Sequence, residues 1–525
     1  MDSDTEKDAA KINIEALDDG YDVRMPELDT VISPSGKVVH IAHDDQHLDG
    51  ALAFAREHGH TEVTPEEDAK LCRKLDLIIM PLFCWLYMNQ FMDKTCVSFA
   101  AIMGIQKDYH MVGQMYSWTN SGFYLGYLFG SPFAAVILPK VPTVKFVSAI
   151  IVLWGVIQCL HCTPKNYAAF MFLRTFLGFL ESFVAPIFIV ILNQYYKHNE
   201  HFGRTGCFYG FNGMGSIFLA GVSYGLYRNN GSYSIEAYKI LFLIIGLMTI
   251  INGFLIFFIM PDNPTEAKWL TDREKEIVVE RIRSNNQGFG NKVFKWEQAK
   301  EVLIDPRTYL YLLLSLSVAI PNGGISGFGS IIIKNLGFKT DKALLLKMPS
   351  GAFELVFLAA LPLVSRIIKS RMAIAIGYSC IILCFICVLA FSTTKYAELV
   401  GFWIFGISPC GIILITSCVT SNTAGFTKKM ITTAVMLCGY SAGNIIGPQT
   451  FRSTDAPQYS NAKAGAVGCY CATILLMSIL TAYNIWENKR REKVKEALGD
   501  KYVVPENIEF ADLTDFQNPE FRYRI

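Results

Sequence analysis

The chain has 525 residues, of which 52% are hydrophobic and only 18% charged, and its mean hydropathy is +0.31, which is high for a soluble protein and points to lipid as the solvent. A formal net charge of +1 excludes a basic nucleic-acid surface. The 14 cysteines lie almost all in apolar segments and read as packing residues, because the CxxC pairs Cys159/Cys162 and Cys384/Cys387 have neither a second pair nor a nearby His at zinc spacing.

Residues 1–63 are acidic and polar, with DSD, LDDG and HDDQ clusters, and are expected to form a disordered cytosolic tail without a cleaved signal peptide. Thr64-Pro65-Glu66-Glu67 then reads as a capping box with Pro at the first helical position, opening a helix that runs into the first span. Apolar runs of about 20 residues recur about twelve times. Their centres fall near Phe83, Gly126, Leu153, Leu180, Ser216 and Ile250, then Ser317, Val356, Leu383, Ile407, Gly439 and Leu475. Between the sixth and seventh lies a polar stretch, 261–306, where Thr271 and Glu274 form a second capping box ahead of an amphipathic helix expected on the membrane surface.

The fold class is therefore an all-α polytopic membrane protein of about twelve spans in two six-helix halves. The halves are 64–260 and 307–486, joined by a cytosolic linker at 261–306 and followed by a cytosolic tail at 487–525. Basic residues in alternate loops, Lys140, Lys145, Lys197, Arg204, Arg371, Lys428 and Lys429 among them, place both termini and the linker in the cytosol; the loop after span seven (Lys334, Lys339, Lys342, Lys347) departs from this bias. Gly178 with Gly406, Asn193 with Asn422 and Gly210 with Gly439 match at offsets of 228 or 229, as expected of two parallel repeats with a midplane site between them.

Ionisable residues inside spans mark the candidate site, since a charge facing lipid near the bilayer centre costs roughly 3 kcal/mol or more. Span one carries adjacent Asp93 and Lys94, with Tyr87, Gln90 and Lys94 on one helical face. The alternative is that the pair caps the helix in the headgroup region. Span four carries Arg174 and Glu181, seven residues and so about 10 Å apart along the axis, which sets at least the acid well inside the hydrocarbon; a purely structural pairing is the competing reading. Tyr116, Asn120 and Tyr124 share a face of span two, and Asn212 is the one strongly polar side chain of a glycine-spaced span five. Span seven contains Ile320-Pro321-Asn322-Gly323-Gly324, and span eleven Gly443-Asn444 with Gly447-Pro448; both are expected to be hinge or gate segments with freed backbone carbonyls.

With these residues in view, the layout resembles the major facilitator superfamily. MDKT in span one, RTFLGFLES in span four, NGG in span seven and PDNPTEAKWLTDREKE after span six are similar to its anion:cation symporter branch, and more narrowly to the fungal allantoate permease group, over about Thr64 to Lys489. The resemblance implies that Lys94 contacts a substrate carboxylate, that Asp93 takes part in proton coupling, and that Arg174 and Glu181 take the corresponding fourth-span roles. Relatives outside fungi usually have Arg where Lys94 stands, and a point charge is not a bidentate fork. The loop ILPKVPTVKF keeps only the basic positions of the superfamily's GxxxDRxGRR signature, a departure that argues against a sugar porter.

The implied function is proton-coupled import, by alternating access, of a small organic anion such as allantoate, ureidosuccinate, a vitamin carboxylate (nicotinate, pantothenate, biotin) or a sulfur-containing amino acid. Lys94, Arg174, Tyr116, Asn120, Tyr124, Asn212, Asn322 and Asn444 would contact substrate, and Asp93 and Glu181 would couple the proton. No cofactor or metal is called for, and membrane lipid and the carboxylate are the expected partners of a monomer. The expected location is the plasma membrane, with an internal membrane as the alternative. The competing functions are a nutrient sensor built on a transporter fold and a passive uniporter; no HExxH set supports an enzyme.

Overall fold

The computed structural model describes residues 30–32, 38–40, 63–283, 294–498 and 513–525. Of the tail expected to be disordered, Thr30–Ile32 and Val38–His40 pair as two short antiparallel strands, β1 and β2; the rest of residues 1–62 lies outside the described residues, as does 499–512 of the C-terminal tail.

Span 1 (Pro65–Met103) starts at the expected capping box: the Thr64 hydroxyl accepts from the Glu67 amide at 3.3 Å, and the Glu67 carboxylate accepts from the Thr64 amide at 3.1 Å. Glu66, Glu67 and Asp68 sit at its positive end. It stops at Gly104, whose φ of 132° a side chain would oppose. The first half continues through span 2 (Met115–Ile137), span 3 (Thr143–Leu160), span 4 in two pieces (Tyr167–Glu181 and Ala185–Tyr195), span 5 (His198–Arg228) and span 6 (Ala237–Ile259). The second half comprises span 7 (Pro306–Asn335), span 8 (Met348–Ile367), span 9 (Arg371–Phe391), span 10 in two pieces (Lys395–Phe405 and Cys410–Asn422), span 11 (Phe426–Thr450) and span 12 (Ser460–Leu498). Among the described residues, nine of these rods are apolar enough to cross a membrane by length and composition alone. The remaining three are spans 1, 2 and 5, whose apolar character is diluted by polar side chains that are buried in protein, Asn89, Asp93, Asn120 and Asn212 among them.

The packing has two cores. One runs through the second half and continues into spans 1, 5 and 6 at the end remote from the linker; the other is confined to the first half at the linker end. Hydrogen bonds between the halves gather at the remote end. Tyr116 Oη donates to the Gly327 carbonyl at 2.6 Å, Ser121 Oγ to the Ile445 carbonyl at 2.7 Å, and Ser98 Oγ lies 3.2 Å from Ser330 Oγ.

Two close helix crossings depend on glycine. A Cβ on Gly126 of span 2 would stand 1.8 Å from the Thr175 carbonyl oxygen, and one on Gly178 of span 4 would stand 1.9 Å from the Phe123 carbonyl oxygen. Gly406 of span 10 meets the Ser350 carbonyl of span 8 in the same way, so one repeat-matched pair makes equivalent contacts in both halves. The Pro and Gly segments of spans 7 and 11 are not breaks. Both helices run continuously through Pro321 and Pro448, and Gly323, Gly443 and Gly447 let the two backbones touch. The interruptions fall in spans 4 and 10 instead, at 182–184 and 406–409.

The linker helix (Asp272–Arg283) opens on its capping box, with the Thr271 amide donating to Glu274 at 2.8 Å and the Glu274 amide to Thr271 Oγ1 at 3.3 Å. Its apolar face does not lie on lipid: Ile277 and Val278 are buried in the core of the first half. Arg281 joins both Asp68 and Glu200, and Lys74 meets Glu274 at 2.7 Å. The C-terminal residues 513–525 likewise fold back on the second half. Asp515, fully buried, receives Lys428 at 2.9 Å and Arg307 at 2.5 Å, and Arg491 Nη2 donates to its carbonyl at 2.7 Å. Burial would raise the Asp515 carboxyl, but the neighbouring Arg307 and Lys428 outweigh it and hold the group below the ordinary carboxylate value.

Candidate functional site

Between the halves lies a cavity lined by Lys94, Asn120, Phe123, Tyr124, Arg174 and Gly327 among others. It holds about 30 Å³ of water-accessible space, whereas small-molecule pockets run to roughly 300 Å³ and more. In this conformation the centre of the molecule is too tight to hold a small organic molecule.

Two ionisable side chains of spans 1 and 4, Lys94 and Arg174, line this cavity, and two more, Glu181 and Asp93, are buried beside them. Lys94 Nζ stands 2.6 Å from Glu181 Oε1; the lysine side chain is a quarter exposed and the glutamate fully buried. The pairing of Arg174 with Glu181, the competing reading of the sequence, is not made: Arg174 Nη1 donates across to the Asp93 carbonyl at 3.1 Å. Helix geometry explains the exchange. Seven residues separate Arg174 and Glu181 by about two turns, too far for their side chains to close on each other, whereas span 1 passes beside both. The glycine crossing of spans 2 and 4 places Phe123 against this group, its ring 5.7 Å from Lys94 Nζ and 5.8 Å from Arg174 Cζ, so one aromatic face is shared by two cations.

Asp93 is fully buried, and neither carboxylate oxygen has a hydrogen-bond partner among the described residues. Its surroundings are the charges of Glu181, Arg174 and Lys94 and the indole of Trp154. Glu181 ends the first piece of span 4, and its own carbonyl accepts from the Val184 amide at 3.0 Å, so the carboxylate sits at a helix interruption.

The other sequence-predicted residues divide. Asn120 and Tyr124 line the cavity; Asn120 Nδ2 donates back to the Tyr116 carbonyl at 3.1 Å, and the Tyr124 ring meets Tyr440 of span 11 at 6.2 Å. Tyr116 belongs to the seam between the halves through Gly327. Asn322 and Asn444 are not brought to the charged group. Asn322 Nδ2 donates to Asn444 Oδ1 at 3.1 Å, Ser408 Oγ donates to Asn322 Oδ1 at 3.2 Å, and Asn444 Nδ2 donates to the Tyr440 carbonyl at 2.8 Å, a network internal to the second half. Asn212 faces Glu354 of span 8.

Glu354 was missed in the sequence, although an acid alone in GAFELVFLAALP carries the same signal as Glu181. It is buried, and its Oε1 has no hydrogen-bond partner among the described residues. Phe123 and Trp154 carried no such signal, because an aromatic in an apolar span is indistinguishable from a lipid-facing one until the helices are packed.

Residues 83–448 match the model of the Major Facilitator Superfamily. The chain belongs to that superfamily. Among curated proteins this transporter is 43% identical to the allantoate permease of Saccharomyces cerevisiae over 95% of this chain and 94% of that one. It is 42% identical to an uncharacterized transporter of Schizosaccharomyces pombe over 92% and 96%, which sets it in the fungal allantoate permease group. Among solved structures, a D-xylose-proton symporter superposes with a TM-score of 0.57 at 12% identity, covering 76% of this chain and 97% of that one, and shares the fold.

Proposed function

We propose that this transporter imports a small organic carboxylate together with a proton, by alternating access, with the linker and C-terminal segment facing the cytosol. The observation that carries the reading is the Lys94–Glu181 ion pair at the closed centre of the molecule, with Arg174 and Asp93 beside it. Counted as ionised, the four side chains sum to zero. A carboxylate that takes Lys94 must displace Glu181, and a bare carboxylate buried without its cation is costly. A proton on Glu181 removes that cost and frees the lysine, so anion and proton enter as a neutral set and the halves close over an uncharged centre. Phe123 stays against the released lysine while Arg174 remains on the Asp93 carbonyl, and Asn120 and Tyr124 supply polar contacts to the remainder of the substrate.

The similarity to an allantoate permease supports a ureido carboxylate as the first compound to test. The experiment is uptake of labelled allantoate, nicotinate, pantothenate, biotin and cysteine by a yeast strain lacking its own permeases, with and without a protonophore. Accumulation of a carboxylate that collapses with the protonophore is expected. Accumulation that ignores the protonophore removes the proton, and binding without accumulation would make the protein a sensor.

A further inference from the structure

Lys347 lies at the start of span 8, in the basic loop after span seven that departs from the charge bias of the other loops. The structure buries it, 4% exposed, in the seam between the halves. Its Nζ donates to Ser98 Oγ of span 1 at 3.2 Å and stands 4.4 Å from the Phe99 ring centre. No carboxylate pairs with it among the described residues. The other buried lysines of the second half are answered differently: Lys428 has Glu301, Asp305 and Asp515 within 3.4 Å, and Lys463 has Glu398 at 2.6 Å. An ammonium placed out of water against a hydroxyl and a ring keeps donors unspent and lacks a counter-charge.

Its location gives that vacancy a use. Ser98 is one helical turn beyond Lys94 on span 1, about 6 Å further from the linker, and also bonds Ser330 across the seam. Lys347 therefore stands further from the linker than Lys94, and the hydroxyl and ring that its ammonium meets both come from the other half. Parting the halves at the remote end would strip Ser98 and Phe99 from it and leave a free ammonium at the mouth. It sits at the N-cap of span 8, so the first amides of that helix add to the positive potential there.

We propose that Lys347 is an anion-capture residue on the face away from the linker: it takes the carboxylate of the incoming substrate while that face is open, hands it one turn inward to Lys94, and replaces it with Ser98 as the halves close. The role rests on the carboxylate reading and the orientation given above, and it predicts a one-sided effect. A residue contacted only from the remote face alters the apparent affinity for substrate arriving there and leaves affinity from the linker face alone.

The test is initial-rate transport of labelled allantoate, or of whichever panel carboxylate the wild type carries, measured from outside in whole cells and from the linker face in inside-out vesicles. Lys347→Ala should raise the outside KM about tenfold, the loss of one charge-assisted contact, with little change in kcat and none in KM from the linker face. Lys347→Arg should restore most of the affinity. Ser98→Ala, which removes the closing contact but keeps the ammonium, should retain the wild-type outside KM. An unchanged outside KM in Lys347→Ala, an equal rise from both faces, or a Ser98→Ala variant that copies Lys347→Ala would overturn the capture role, the last leaving a gate latch in its place. A wild type that carries no carboxylate at all would instead defeat the proposed function.

Discussion

Lys94 of span 1 and Glu181 of span 4 meet at 2.6 Å in the middle of the molecule, and Arg174, which shares a helix with the glutamate, reaches the backbone of span 1 instead. The pair joins two spans of one half, so it survives any rigid movement of the halves against each other. What changes through a transport cycle under the proposed function is its occupancy by proton and anion.

Glu181→Gln mimics the protonated acid and releases Lys94. The variant is expected to bind substrate and exchange it across the membrane at a rate within a few-fold of wild type while losing accumulation driven by external acid. Counterflow and pH-driven uptake, measured separately, check this. Normal pH-driven accumulation by the variant would end the coupling role.

Lys94→Ala leaves Glu181 buried without its cation, a loss of about 3–5 kcal/mol for a buried pair broken on one side. Uptake should vanish, and the detergent-solubilised protein should melt several degrees lower. The double variant Lys94→Ala/Glu181→Ala should recover stability without recovering uptake, because no uncompensated charge remains. A double variant as unstable as the single one shows that the pair's charges are not what the fold depends on.

Gly178→Ala tests the crossing of spans 2 and 4. A Cβ there would fall 1.9 Å from the Phe123 carbonyl oxygen, and backbone cannot yield as a side-chain tip can. Folded protein recovered by size-exclusion chromatography should drop sharply. Gly203→Ala, which adds a Cβ with no heavy atom within 4 Å, should be recovered like wild type.

Asn444→Ala separates a substrate contact from a structural one. Asn444 accepts from Asn322 and donates to the Tyr440 carbonyl within the second half, so its loss should cost about 1–3 kcal/mol of stability, seen as a lower melting temperature. The KM of the substrate should stay within twofold; a tenfold rise returns Asn444 to the binding site.

The C-terminal latch carries a pH signature. The Asp515 carboxyl is lower in the folded protein than in the unfolded chain, so its stabilisation is complete above the unfolded value of about 3.9 and is lost only as pH falls through the lower folded one. Between pH 5 and pH 8 the Asp515 carboxylate should contribute constantly. Asp515→Asn strips one of three carboxylates from Lys428 and should lower the melting temperature by a similar amount at both pH values. A deficit present at pH 8 and absent at pH 5 would mean that the acid already carries a proton there.

Much of this protein was legible in its sequence because lipid imposes a simple code. Spans must be apolar and about 20 residues long, helix starts need their capping residues, and charges inside a span stand out against that background; the twelve spans, both capping boxes and the four central charges follow from these rules. The rules are silent about partners. Whether Glu181 meets Arg174 or Lys94, whether Asn322 and Asn444 face a substrate or each other, and whether Pro321 bends span 7 depend on which helices lie alongside, and intrahelical spacing holds no information about neighbours. The linker helix shows the same division: its amphipathic period was plain, yet a membrane surface and the apolar flank of the first half offer it equivalent burial, and only the ionic partners Asp68 and Glu200 around Arg281 select the protein. Lys347 was visible as one more basic residue after span seven, and packing alone, by closing two halves over it without an acid, turned it into a buried charge.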